Sequence, residues 1–112
     1  MDKTIELLIL AVIQIQDADQ TIDALISAGL EVTRIGSSGG FLGRRNATLL
    51  IGLAKEQQNS AIEIFRRHCR RRTEYIATRL EGSPFHLPLT TPVTVGGATI
   101  FTFPVEHYEE IP

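Results

Sequence analysis

The densest gathering of chemically useful side chains lies in the run SSGGFLGRRN, residues 37–46. Ser37 and Ser38 supply hydroxyls. Gly39 and Gly40 supply backbone amides that can turn through positive φ, so the four residues can shape a polar concavity. Arg44 and Arg45 add positive charge with the forked geometry that grips anionic oxygens. Phe41 and Leu42 come directly after the turn, and a planar ring held at a surface is a platform for stacking a nucleobase. Asn46 carries donors and an acceptor on one amide, suited to a base edge or a ribose. Together these types fit an anionic ligand with an aromatic group. A plain β-β connection explains Gly39 and Gly40, but it gives no reason to place Phe41 and Leu42 there.

Other chemistry is thinner. Neither a Walker sequence nor G-x-G-x-x-G occurs, which removes the familiar phosphate-binding loops. His68, His86 and His107 show no metal-ligand spacing. Glu106, His107 and Glu110 could hold a cation, although an acidic tail of this kind is ordinarily solvated, so no metal is expected. No nucleophile stands beside a base, and the single cysteine, Cys69, falls on the expected core face of a helix; no catalytic residue is assigned. The run FRRHCRRR, residues 65–72, resembles a nucleic-acid patch. Cations near a helix C-terminus are also stabilising, by about 0.3 to 1 kcal/mol each, and that reading is preferred for a chain of net charge -2. No nucleic-acid polymer and no membrane is expected as a partner.

These groups need elements to position them. The chain has 112 residues, 43% hydrophobic and 21% charged, the composition of one ordinary folded domain covering residues 1–112. One cysteine cannot form an internal disulfide, so a reducing cytoplasm fits. Residues 5–15, IELLILAVIQI, include Glu6 and Gln14 and are too short to span a bilayer, so they read as a buried strand. Asp17 or Asp19 can cap a following helix with Ile22, Leu25 and Ile26 at helical spacing, stopped by Gly29. LEVTRIG reads as a second strand and ATLLIGLA as a third. Asn59 or Ser60 opens a second helix with Ile62, Phe65 and Cys69 on one face. Residues 73–80 read as an extended segment and 82–92 as a loop. VTVGGATIFTFPV reads as a last strand interrupted by a Gly-Gly bulge.

That order is α+β: a ferredoxin-like βαββαβ sandwich with an insertion before the last strand. Two helices cover one face of a four-stranded sheet. The other face is also apolar, because Leu8, Leu10, Val12 and Leu50 alternate with the core set. Bare in water, it would exceed the hydrophobic patches that monomers tolerate, so copies are expected to associate through it.

At this level of detail the chain resembles the PII-like cyclic di-AMP receptor family of bacterial signalling proteins. The resemblance is most specific in G-G-F-L-x-x-x-N-x-T and V-G-G-A-T-x-F, and it extends to QDAD before the first helix. It implies a homotrimer with inward-facing sheets, a nucleotide in the clefts between subunits, no catalytic activity, no cofactor, and a relay through loops to an unidentified protein partner. It places ligand contacts on Thr33, Gly40, Phe41, Leu42, Asn46, Gly52 and Phe101, which join Ser37, Ser38, Gly39 and Arg44 from the turn itself. Two positions depart from the pattern. Glu31 stands where the family carries an arginine and Glu110 where it carries a glutamine, and an anion beside a phosphodiester reverses an attraction. The alternative is therefore a trimeric interaction protein that has lost cyclic di-AMP and acts through protein contacts or another small ligand.

Overall fold

The computed structural model describes residues 4–36, 40–41, 44–79 and 88–112. The apolar run near the start is β1 (Leu7–Gln14), and a helix, α1 (Ile15–Ser27), follows it without a loop. Ala18, Thr21 and Leu25 of α1 are buried. Gly29, at φ +86°, ends the helix: its N–H donates to Ile26 O and the N–H of Leu30 to Leu25 O, a Schellman motif closed by buried Leu25 and Leu30. The expected cap is not formed. The N-cap is Gln14, with no side-chain cap, because Asp17 turns inward to an arginine and Asp19 lies at the surface against Arg34.

Next come β2 (Glu31–Ile35), the short β3 (Gly40–Phe41) and β4 (Arg44–Leu53). A 3-10 turn, Lys55–Gln57, leads into α2 (Gln58–His68); the Gln57 side chain reaches back to accept the Ala54 N–H at 2.9 Å. α2 thus starts just before the expected Asn59 or Ser60. Its inward row is Ala61 and Phe65, continued by Cys69, while Ile62 is only half-buried.

Strands β2, β4, β1 and a late strand, β7 (Ala98–Pro104), form one antiparallel sheet in the order β2-β4-β1-β7, with β3 paired to β4. This α+β arrangement is compatible with the ferredoxin-like fold. Ile9, Ala11 and Ile13 of β1 and Leu49, Ile51 and Leu53 of β4 form the core with Ala18, Leu25, Ala61 and Phe65 of the helices, so both helices lie on one face.

Between α2 and β7 the chain makes a second sheet, a two-stranded ribbon of β5 (Arg72–Arg79) and β6 (Pro88–Val95). The extended reading of residues 73–80 holds for β5. The loop reading of 82–92 does not hold for 88–92, which are strand; residues 80–87 lie outside the described set. Both strands of a two-stranded ribbon are edges, so Pro88 and Pro92 need not break a ladder. The expected Gly-Gly bulge is a corner instead. Gly96 and Gly97 both have positive φ, +92° and +95°, and turn the chain from the ribbon into the main sheet. A Cβ on Gly96 would come within 2.2 Å of Arg70 O, so only glycine fits there. Among the described residues no helix is long and apolar enough to cross a membrane.

Candidate functional site

Strand register decides which of the expected residues meet. Thr33 is opposite Leu50, Leu50 opposite Leu10, and Leu10 opposite Phe101, so these four form one row across the sheet. One row along, Glu31, Gly52, Leu8 and Phe103 are aligned in the same way. Asn46 pairs with Gln14. Opposed residues share a face and alternate residues return to it, so Thr33, Asn46, Gly52 and Phe101 all lie on the face away from the helices.

That face is apolar and open. Leu8, Leu10, Val12 and Leu50 are half-buried, and Phe101 and Phe103 keep 49% and 47% of their surface exposed. Their rings stack at 6.5 Å with 16° between planes. Two stacked phenyl rings facing solvent leave an apolar surface without a cover.

Gly40 and Phe41 pair with Arg45 and Arg44 in the β3–β4 hairpin, which ends beside Asn46. Ser37, Ser38, Gly39 and Leu42 lie outside the described residues. Six residues separate Asn46 from Gly52 along β4, about 20 Å of strand. The candidate residues therefore form two groups: the hairpin with Asn46 at one end of the face, and Thr33 with Gly52 towards the other. Gly52 is crowded by its own chain, since a Cβ there would lie 3.2 Å from Ile5 Cγ2.

Two clefts flank these groups. One, about 440 Å³, lies among Ile5, Gly29, Glu31, Gly52, Glu56 and Gln57. The other, about 270 Å³, lies among Gln14, Gln16, Arg45 and Val93 to Val95 at the root of the ribbon. Gln14 joins the second cleft to the sheet. It stands opposite Asn46, and its Oε1 accepts the Gly96 N–H at 2.7 Å.

The chain after β7 carries one of the acidic positions. The Tyr108 hydroxyl donates to Glu110 Oε1. That bond, and then the Glu110 and Glu31 charges, push the phenol above its usual value of 10.0. The segment after β7 thus brings Glu110 towards the same end of the sheet as Glu31. His107 pairs instead with Glu109 at 3.5 Å, and among the described residues no three metal-ligand side chains gather.

Sequence reading missed Gln14, Tyr108 and a buried ion pair. Asp17, 3% exposed, accepts from Arg72 Nη2 at 2.8 Å. Asp17 holds the Arg72 guanidinium even more firmly protonated than usual. Beside them Thr21 Oγ1 lies 3.2 Å from Cys69 Sγ, and burial pushes that thiol above 9.0, away from the thiolate a nucleophile needs. The signal for the pair was a carboxylate at the first turn of an amphipathic helix, which looks like a cap until the chain is folded.

Comparison with known proteins decides the family. The family model described as cyclic-di-AMP receptor matches residues 6–111. The chain belongs to the cyclic-di-AMP receptor family. This receptor family is PII-like, in agreement with the motifs quoted above. A crystal structure of a functionally unknown protein from Pediococcus pentosaceus ATCC 25745 has 30% identity and a TM-score of 0.75, covering 96% of this chain and 98% of that one.

Proposed function

We propose that this chain is a non-enzymatic bacterial, cytoplasmic signalling protein that binds cyclic di-AMP, or a related adenine nucleotide, between the subunits of a homotrimer. The observation that carries this reading is the open sheet face. It is apolar, it lies opposite the helices, and along β4 it sets Asn46 and the hairpin about 13 Å from the row of Thr33 and Phe101 and about 20 Å from Gly52. A compact ligand that touches both groups takes them from different copies, at the seam where covered faces meet. The family match over residues 6–111 supplies the ligand class.

In this reading Phe41 and Leu42 pack on an adenine, while Asn46 and Thr33 hydrogen-bond base, ribose or phosphate. Phe101 lines the cleft, and the nucleotide changes what the Gly-rich loop of residues 37–46 presents. The signal reaches a protein partner through that loop and through residues 82–92. The ribbon root is close enough to respond, because Gln14 contacts Gly96 and faces Asn46. Isothermal titration against cyclic di-AMP, cyclic di-GMP, ATP and AMP tests the reading: cyclic di-AMP binds, and Phe41→Ala weakens it. Heat from none of the four at high concentration overturns it.

One observation favours a second reading. Glu31 stands opposite Gly52 on the open face, and an anion at a seam that takes a phosphodiester opposes the ligand's charge. A trimeric interaction protein that has lost the nucleotide, or takes another small ligand, then remains. A melting temperature unmoved by any nucleotide supports it, since a ligand specific to the native assembly must raise that temperature.

A further inference from the structure

The arginines at the end of α2 are not used by the nucleotide reading. Five of the chain's 11 basic residues fall within residues 66–72; removing them leaves 6 against 13 acidic residues, a net of -7. The charge is therefore segregated. Arg72 is committed to Asp17 and Glu74, and Arg66 approaches Glu63 at only 3.8 Å. Arg67, Arg70 and Arg71 are exposed, and among the described residues none of the three has an ion-pair partner. The helix macrodipole explains cations in the last turn, and Arg66, Arg67 and His68 already sit there. It does not explain Arg70 and Arg71, which lie beyond the helix end at the ribbon root, where the Gly97 N–H donates to Cys69 O.

We propose that Arg67, Arg70 and Arg71 form a docking surface for a short acidic segment of a partner protein. Charge complementarity names the occupant, because guanidinium groups bind carboxylates through paired, directional hydrogen bonds. Carboxylates flank the run in sequence, Glu63 paired with Arg66 and Glu74 with Arg72. A short segment with a few acidic side chains matches three exposed cations flanked in this way. A nucleic-acid backbone, with a charge repeated along its whole length, runs on into those carboxylates and the acidic remainder of the chain. α2 lies on the sheet face opposite the open one, so association through the open face leaves Arg67 outside. The surface needs no nucleotide, and a failed nucleotide titration leaves it untouched.

Fluorescence anisotropy on the full chain tests the surface with three labelled probes of equal length: a decapeptide GEEGEEGEEG, its glutamine counterpart, and single-stranded RNA. The glutamate peptide is expected to bind, the glutamine peptide not, and the Arg67→Gln/Arg70→Gln/Arg71→Gln variant to bind about tenfold more weakly. Hydrogen exchange on the unaltered chain gives a second measurement, with amides of residues 66–72 slowed by the peptide. Failure of the glutamate peptide to bind, equal binding by the variant, slowing only elsewhere, or RNA binding more tightly than peptide each overturn the proposal.

Discussion

Arg72 Nη2 donates to Asp17 Oδ1 at 2.8 Å, tying the first strand of the ribbon to the first turn of α1 across 55 residues of sequence. The Asp17 side chain is 4% exposed and its Oδ2 has no hydrogen-bond partner among the described residues, so this contact is the main compensation for a buried charge. Arg72→Met is expected to cost about 2 to 4 kcal/mol, somewhat below a fully buried pair because the Arg72 side chain keeps 29% exposure. Adding Asp17→Asn to Arg72→Met should recover much of that loss. Urea unfolding of the two single variants and the double variant measures the coupling; strictly additive losses would show that the pair does not act as a unit.

Cys69 gives a pH dependence of fixed sign. Burial raises its folded pKa above the unfolded value near 9.0, so the folded state holds the proton more tightly. The associated stability is complete below about pH 9 and is lost as pH rises towards the folded pKa. Arg72 is also raised, from an ordinary value already far above this window, and does not titrate in it. Between pH 8.5 and 10 the melting temperature should fall more steeply for the natural chain than for Cys69→Ala, whatever that variant's starting stability. Parallel slopes would remove Cys69 as the cause.

Tyr108 is open to direct observation. Its hydrogen bond to Glu110, with the Glu110 and Glu31 charges behind it, holds the phenol above 10.0. Ultraviolet titration of the natural chain minus Tyr108→Phe isolates this group from Tyr75. Glu110→Gln should lower the midpoint strongly and Glu31→Gln by less, because the largest cause is the bond to Glu110. A larger effect from Glu31→Gln would place the C-terminal segment differently from the structure described here.

The main sheet was legible because its apolar runs alternate with period two. Once β1 and β4 are strands, Leu8, Leu10 and Leu50 must point away from Ile9, Ala11 and Leu49. The same period puts Thr33, Asn46, Gly52 and Phe101 on one face as soon as the register is known. Register itself was not legible, and so Gln14 beside Asn46 was not foreseen. Gly96 and Gly97 suit a bulge or a corner equally well by composition; the close approach of Arg70 O decides between them, and it is a tertiary contact. Asp17 misled for a related reason, since a first-turn carboxylate reads as a cap unless the arginine 55 residues on is known to arrive.

The open face carries the remaining expectation, and it separates assembly from folding. Phe101 stands in the row Thr33, Leu50, Leu10 and is 49% exposed, whereas the core residues Ile9, Leu49 and Phe65 lie on the other side of the sheet. Phe101→Glu should therefore leave the folded subunit intact by circular dichroism. It should break self-association, because an unpaired carboxylate buried between apolar faces weakens the association constant by about two orders of magnitude or more. Light scattering should show the natural chain as a trimer and the variant as a monomer at the same concentration. A natural chain that remains a stable monomer at micromolar concentration would mean that water tolerates the stacked Phe101 and Phe103, and the intersubunit site would have no seam to occupy.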